Sequence, residues 1–358
     1  MTNICNTQCE EVKPQRYLGL DILKVISTLL IIVHHLSLHG GFFNPSYGIT
    51  RFVLIIANAL FLPSVNIFVF VSSYLIIKKG KATIKNLLKI YFEVVFYSIL
   101  TYFIYCLLNN EVVSLYTIYL CFKPISSPIF WFTQAYIIMY ILSPLLLKIV
   151  NGLSKKEYKI TLIAIAAILI LPKFIHGFEF LPLSNGFNAI WFSILFLIAG
   201  YQVKFGFNFK KGYFLIVYII TTIILCLQIY KNGIAVNYTK ILVLLQTLAL
   251  FNLLYDIRSK NIILTNSIKY MATCTLGVYL LHDGFYTNPY IYNFIFKTYL
   301  YHTSPIALLY FALFVILIFI AGIVVDTIRK LALKGINLLI KKIRETRQKR
   351  TSQTVESQ

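Results

Sequence analysis

Long runs of apolar residues, divided by short polar segments, constrain this chain more than any other feature of its sequence. Several runs approach the ~20 residues that an α-helix needs to cross the hydrocarbon of a bilayer. Of all residues, 59% are hydrophobic and only 13% are charged, whereas a soluble domain carries about 25% charged residues. So few charges cannot cover a soluble globule of this size. The sequence therefore predicts an all-α, polytopic integral membrane protein.

The apolar runs divide the chain into about ten predicted transmembrane helices. A polar tail, 1–16, precedes the first span, and a basic segment, 329–358, follows the last one. We expect the ten helices to form one membrane domain over 17–328. The predicted spans are 17–38, 52–77, 86–108, 130–148, 160–176, 187–203, 212–230, 238–255, 268–282 and 304–328.

The placement of Lys and Arg sets the predicted orientation of these spans. If the N-terminus is inside, the inner segments hold 26 of the 33 Lys and Arg residues, in keeping with the positive-inside rule. An odd number of spans would break this alternation. We therefore expect a multi-pass protein of the cell (plasma or inner) membrane with both termini cytoplasmic. The outer segments hold only Arg51, Lys123, Lys173, Lys231, Lys240 and Lys297.

The net charge of +21 would suit a nucleic-acid-binding protein if the cations formed one patch. They are instead spread over the inner segments, so nucleic acid is not expected as a partner. Segment 329–358 mixes Leu and Ile with nine basic residues, a pattern typical of a helix that lies on an anionic membrane surface. Membrane lipids are therefore the predicted partner of this segment.

The most informative residues are polar ones in the first span, where lipid should exclude them. Charged groups at this depth are costly unless they are paired or hydrated, so we expect them to have a function. At ~100° and ~1.5 Å per residue, Lys24 and His35 share one helix face and are separated by ~16 Å. Asp21 precedes Lys24 by three residues, close enough for an ion pair. His34 is turned ~100° from His35 and is interpreted as a packing residue, which leaves His35 as the chemical candidate.

Other interpretations of these residues stay open. Asp21 and Lys24 at the inner interface would also be explained by a Lys stem that simply extends towards water. His35 and His39 have the i,i+4 spacing of metal ligands, but no carboxylate or Cys completes a set nearby. A metal site is therefore not expected.

Several segments, taken in order, resemble the motifs of the membrane acyltransferases of family three. That family's first motif places a cation, usually Arg, eleven residues before a His, and Lys24 and His35 fill these positions. Ser73 stands where the second motif usually has Gly. Among its members, the whole chain most resembles the O-acetyltransferases of enterobacterial common antigen. The segments are RYLGLDILKVISTLLIIVHHL (16–36), FVFVSSYLI (68–76), FWFTQAYIIMYILSPLL (130–146), GFEFLPL (177–183) and TLGVYLLHDGF (275–285).

The resemblance implies a ten-span acyltransferase domain that moves an acyl group, expected to be acetyl, to a hydroxyl of a cell-surface glycan or a lipid-linked saccharide. Acetyl-CoA, or another acyl-CoA, is the expected donor substrate from the cytoplasm, with no bound cofactor. Glycan-assembly proteins are expected as further partners. A neutral His35 would take the proton from the sugar hydroxyl, while Asp21 and Lys24 orient the donor from below.

Further residues are assigned to the two substrates. Lys85 and Lys89 are expected to bind the CoA phosphates, since Lys binds phosphate as a point charge. Trp131, Glu179 and His282 are expected on the acceptor side. Both assignments have an alternative without a substrate. The lysines would also fit a cluster that follows the positive-inside rule, and the aromatic residues would also fit a belt at the membrane interface. A transporter or flippase that exports a glycan or an organic acid is the alternative function.

Overall fold

The computed structural model describes residues 17–125, 130–176, 187–234, 238–284 and 290–356. Helices are the only regular elements within these ranges, so the predicted all-α class is confirmed there. A π-helix, Ile291–Ile295, and a 3-10 helix, Thr298–Leu300, precede the last α-helix. The α-helices are α1 Leu18–Leu38, α2 Gly48–Phe61, α3 Ser64–Lys79, α4 Ile84–Asn109, α5 Leu115–Cys121, α6 Trp131–Gly152, α7 Lys155–His176, α8 Phe187–Lys204, α9 Lys211–Asn232, α10 Ile241–Leu254, α11 Ile262–His282 and α12 Ala307–Glu356.

Six helical stretches in the described ranges are long and apolar enough to cross a bilayer. The apolar helix α10 is shorter than these. The chain is therefore a membrane protein, while the count of ten spans and the cytoplasmic position of both termini stay predictions. The six stretches are Leu18–Leu38, Gly48–Lys79, Ile84–Asn109, Trp131–Gly152, Lys211–Asn232 and Ala307–Thr346.

The stretch Gly48–Lys79 contains a break that the sequence analysis did not predict. Residues 52–77 were expected to form one span, but α2 ends at Phe61 and α3 begins at Ser64. Pro63 explains the break, because its ring removes a backbone donor and clashes with the preceding helical turn. The Pro63 carbonyl oxygen then accepts a hydrogen bond from the backbone amide of Ile67 at 2.8 Å. The break exposes side chains of both helices to the same cavity.

Helix α1 lies inside the bundle and contacts α2, α3, α10, α11 and α12. Its side chains Leu23, Ile32 and Leu36 are fully buried against the neighbouring helices. At its first turn, Gly19 approaches the end of α10 so closely that a Cβ would lie 1.7 Å from the Leu254 carbonyl oxygen. Only Gly fits at this approach, which fixes where α1 crosses α10. The polar residues Asp21, Ser27 and Thr28 of α1 are buried as well.

A buried group of charged residues, here called the Asp326 cluster, connects α12 to α4. Asp326 accepts a hydrogen bond from the Tyr97 hydroxyl at 3.0 Å and lies 2.7 Å from both Arg329 Nη2 and Lys330 Nζ. Arg329 Nη2 also lies 2.9 Å from Glu93 Oε1. Helix α12 runs through residues 328 and 329 without interruption. Arg329 and Lys330 thus belong to the bundle, although the sequence assigned them to the basic segment 329–358.

Candidate active site

A cavity of about 220 Å³ lies beside the last turn of α1, near the break between α2 and α3. Helix α1 contributes His34, His35 and His39 to its lining, and Asp283 follows the end of α11 there. Much of the remaining lining is apolar, so the cavity favours a ligand with both a reactive polar group and an apolar or ring face. The apolar walls are formed by Ile31, Leu38, Phe61, Val65, Phe68, Phe132 and Leu276.

His35 lines this cavity and contacts two residues at the end of α11. Its Nδ1 lies 3.1 Å from Nε2 of His282 and 3.4 Å from Oδ1 of Asp283. The His35 side chain is 14% exposed, whereas His282 is buried. Nδ1 of His282 lies 2.6 Å from the carbonyl oxygen of Val278, one turn earlier in α11. His35 is therefore held from behind by α11 and remains accessible from the cavity.

His34 is turned towards α2, as its helical position predicts. Its Nδ1 lies 3.1 Å from the amide oxygen of Asn58, whose nitrogen donates to Ser37 Oγ and to the Leu54 carbonyl. The imidazole also stacks on Phe61 with the ring centroids 3.8 Å apart. His34 borders the cavity, but its ring is occupied by packing and by this amide. These contacts agree with its interpretation as a packing residue.

Two parallel aromatic rings form another wall of the cavity. Trp131, the first residue of α6, stacks on Tyr238 with centroids 5.4 Å apart and planes inclined by 13°. Asn66 fixes Tyr238 by donating to its carbonyl oxygen at 2.8 Å, and accepts from the Trp191 indole at 2.9 Å. The Tyr238 hydroxyl donates to the Asn188 side chain. A flat, rigid aromatic surface of this kind suits the apolar face of a ring.

The remaining predicted site residues of α1 lie far from His35. Lys24 is half-buried, and its carbonyl oxygen accepts a hydrogen bond from the Thr28 hydroxyl at 3.0 Å. Asp21 is buried in the first turn. Along the unbroken helix they lie ~16 and ~21 Å from His35 at ~1.5 Å per residue. Neither residue reaches His35, so any part they play concerns a different section of the substrate.

The other predicted site residues fall into three locations. Lys85 and Lys89 are exposed at the start of α4, away from the cavity lining. His282 lies behind His35 rather than on the cavity wall. Trp131 lines the cavity as expected for an acceptor contact. Glu179 lies outside the described residues.

Sequence analysis missed Tyr238 and Tyr279 as cavity residues. Asp283, which follows His282 directly, also lines the cavity, whereas no sequence pattern pointed to Tyr238. His39, the alternative metal partner of His35, has its ring centroid 5.6 Å from that of His35. Among the residues that the structure describes, no three His, Cys, Asp or Glu side chains form a group able to hold a metal ion.

The chain matches the sequence model of a known protein family. A family whose sequence model is described as an acyltransferase domain matches residues 17–326. The match begins immediately before α1 and ends at Asp326, so it includes the cavity and every residue that lines it. No curated protein and no solved structure matches the chain.

Proposed function

Because this chain belongs to acyltransferase family 3 and is a membrane acyltransferase, we propose that it moves an acetyl group from cytoplasmic acetyl-CoA to a glycan hydroxyl. The acceptor is a cell-surface glycan or its lipid-linked precursor. One observation carries this proposal: His35 opens onto a cavity that also presents a stacked Trp131 and Tyr238 pair. A base and a ring-binding surface therefore face the same space.

The proposed reaction needs only one base. The acceptor oxygen attacks the thioester carbonyl carbon while its proton passes to a neutral His35, and the C–S bond then breaks. The protonated His35 returns the proton to the departing thiolate of CoA. General acid–base catalysis of this kind contributes about 10²- to 10⁴-fold. Asp283, 3.4 Å from His35, stabilises the transient imidazolium.

Two buried hydroxyls support a donor route between the inner surface and His35. Ser27 on α1 and Ser73 on α3 are fully buried, and their hydroxyl oxygens have no hydrogen-bond partner among the described residues. Ser27 is eight residues from His35, and Ser73 is eight residues from Val65 at the cavity, which places both ~12 Å below the cavity. Buried hydroxyls normally have partners. The amide groups of the pantetheine arm would supply them.

The charged end of the donor is assigned to the inner end of the bundle. Lys24 and Asp21 lie on α1 below the two serines and would orient the arm. Lys85 and Lys89 are exposed at the start of α4, where Lys side chains at a helix N-terminus favour phosphate. These lysines would bind the CoA phosphates at the membrane surface.

The acceptor end is assigned to the aromatic side of the cavity. A pyranose ring would pack against the stacked Trp131 and Tyr238 pair, and Glu179 would hydrogen-bond a sugar hydroxyl. The resemblance to O-acetyltransferases of enterobacterial common antigen supports an acetyl donor and a sugar acceptor. Plasma-membrane insertion with cytoplasmic termini gives each substrate access from its own side.

The test is acyl transfer by purified protein in liposomes, with labelled acetyl-CoA and a panel of glycans. We expect label on a glycan with the wild type, none with His35→Ala, and a substantial fraction with His34→Gln, whose side chain can still bond to Asn58. Equal loss in both variants would contradict the separate roles of the two histidines. Glycan movement across the bilayer without label transfer would replace this proposal with the exporter.

A further inference from the structure

The contact between His35 and His282 fixes the proton positions on both rings. A carbonyl oxygen only accepts hydrogen bonds, so Nδ1 of His282, 2.6 Å from the Val278 carbonyl, carries a hydrogen. His282 is 1% exposed, and an imidazolium buried there would be costly. A neutral His282 therefore keeps its lone pair on Nε2.

The tautomer of His35 follows from that of His282. Nε2 of His282 accepts, so Nδ1 of His35, at 3.1 Å, is the donor. A neutral His35 then has its lone pair on Nε2, across the ring from His282. This is the nitrogen that must take the proton of the acceptor hydroxyl.

We propose that His282 is a positioning residue, which accepts the Nδ1 hydrogen of His35 and so keeps Nε2 of His35 free as the base. Sequence analysis assigned His282 to the acceptor, but His35 lies between it and the cavity. In other enzymes, a hydrogen-bond partner that holds a catalytic imidazole in one tautomer has a large effect on the catalytic rate. Here that partner is a second imidazole, held in turn by the backbone of its own helix.

Asp283 is the other group within reach of Nδ1 of His35, at 3.4 Å. Its distance is too long for a normal hydrogen bond, so in the resting site His282 is the acceptor. A carboxylate at this distance instead favours the charged ring that forms after proton transfer. His282 and Asp283 thus act on the same nitrogen at different stages.

This inference rests on the proposed function, so its test has one readout in catalysis and one that needs no substrate. His282→Leu should lower kcat by about 10²-fold and leave the KM for acetyl-CoA and for the acceptor unchanged. His282→Gln should restore much of the rate, since its amide oxygen can accept from His35. His302→Leu is the matched control, because Nδ1 of His302 has no hydrogen-bond partner among the described residues and its ring is outside the cavity lining.

The second readout is solid-state nitrogen NMR of liposome-embedded protein with isotope-labelled histidine, with His35→Asn used to assign the His35 signals. We expect a protonated Nδ1 and an unprotonated Nε2 in the wild type, and loss of this single tautomer in His282→Leu. A wild-type His35 protonated on Nε2 would overturn the inference, as would a His282→Leu variant that changes only the acceptor KM. Wild-type protein that transfers no acyl group but shows the expected tautomer would overturn the proposed function alone.

Discussion

Asp326→Asn tests how strongly the buried charges hold α12 in the bundle. The change keeps the size of the side chain and removes its charge. Asp326 is fully buried and contacts Tyr97, Arg329 and Lys330 at 2.7 to 3.0 Å. After the change, Arg329 retains Glu93 as its only ionic partner within the described cluster.

The expected loss follows from the burial of the partners. Breaking a buried ion pair by removing one partner costs about 3–5 kcal/mol. The Lys330 side chain is 28% exposed, so water recovers part of its interaction and the lower end of that range applies. We therefore expect the free energy of unfolding to fall by about 3 kcal/mol. The measurement is the midpoint of unfolding in mixed micelles titrated with a denaturing detergent.

Glu345→Gln on the same helix is the control. Glu345 pairs with Lys341 at 3.8 Å with the same i,i+4 spacing as Asp326 and Lys330, but both side chains are more than half exposed. Exposed pairs contribute about 0–1 kcal/mol, so this variant should unfold close to the wild type. If Asp326→Asn unfolded at the same midpoint as Glu345→Gln, burial would not be what makes the Asp326 cluster stabilising.

Two further predictions concern orientation and the donor. A Cys placed at Lys123 should react with an impermeant thiol reagent in intact cells and one at Lys156 should not, and the reverse pattern would invert the predicted topology. Lys24→Arg should retain acyl transfer, whereas Lys24→Met should raise the KM for acetyl-CoA about tenfold or more, since one lost charge contact at depth is worth over 1 kcal/mol. If Asp21→Asn combined with Lys24→Met restored normal KM, Lys24 would serve only as a structural partner of Asp21.

Local periodicity predicted that His34 and His35 of α1 contact different neighbours. The eleven-residue spacing of Lys24 and His35 sets them on one face, and the 100° turn to His34 separates its contacts from those of His35. The contact of His35 with His282 joins residues 247 positions apart. No spacing within either helix predicts it, because it depends on how α1 packs against α11.

Hydropathy did not predict two features of the fold. The apolar run over 52–77 predicted one span because Pro63 is a single residue within it, yet its missing backbone donor divides the helix. Arg329 and Lys330 were assigned to a basic cytoplasmic segment because they begin a run of cations. Their carboxylate partner lies three and four residues earlier in Asp326, and this local pattern was the signal that they belong to the bundle.

The two adjacent histidines show why the spacing within α1 matters as much as the residue types. Deleting one residue between Lys24 and His34 would rotate the following turn by ~100° relative to Lys24. His35 would then take the place of His34 against Asn58, and Leu36 would face His282, which would leave no imidazole at the cavity that His282 could position. Inserting one residue would instead bring His34 against His282. The site therefore depends both on the spacing of Lys24 and His35 along α1 and on the contact of His35 with His282 of α11.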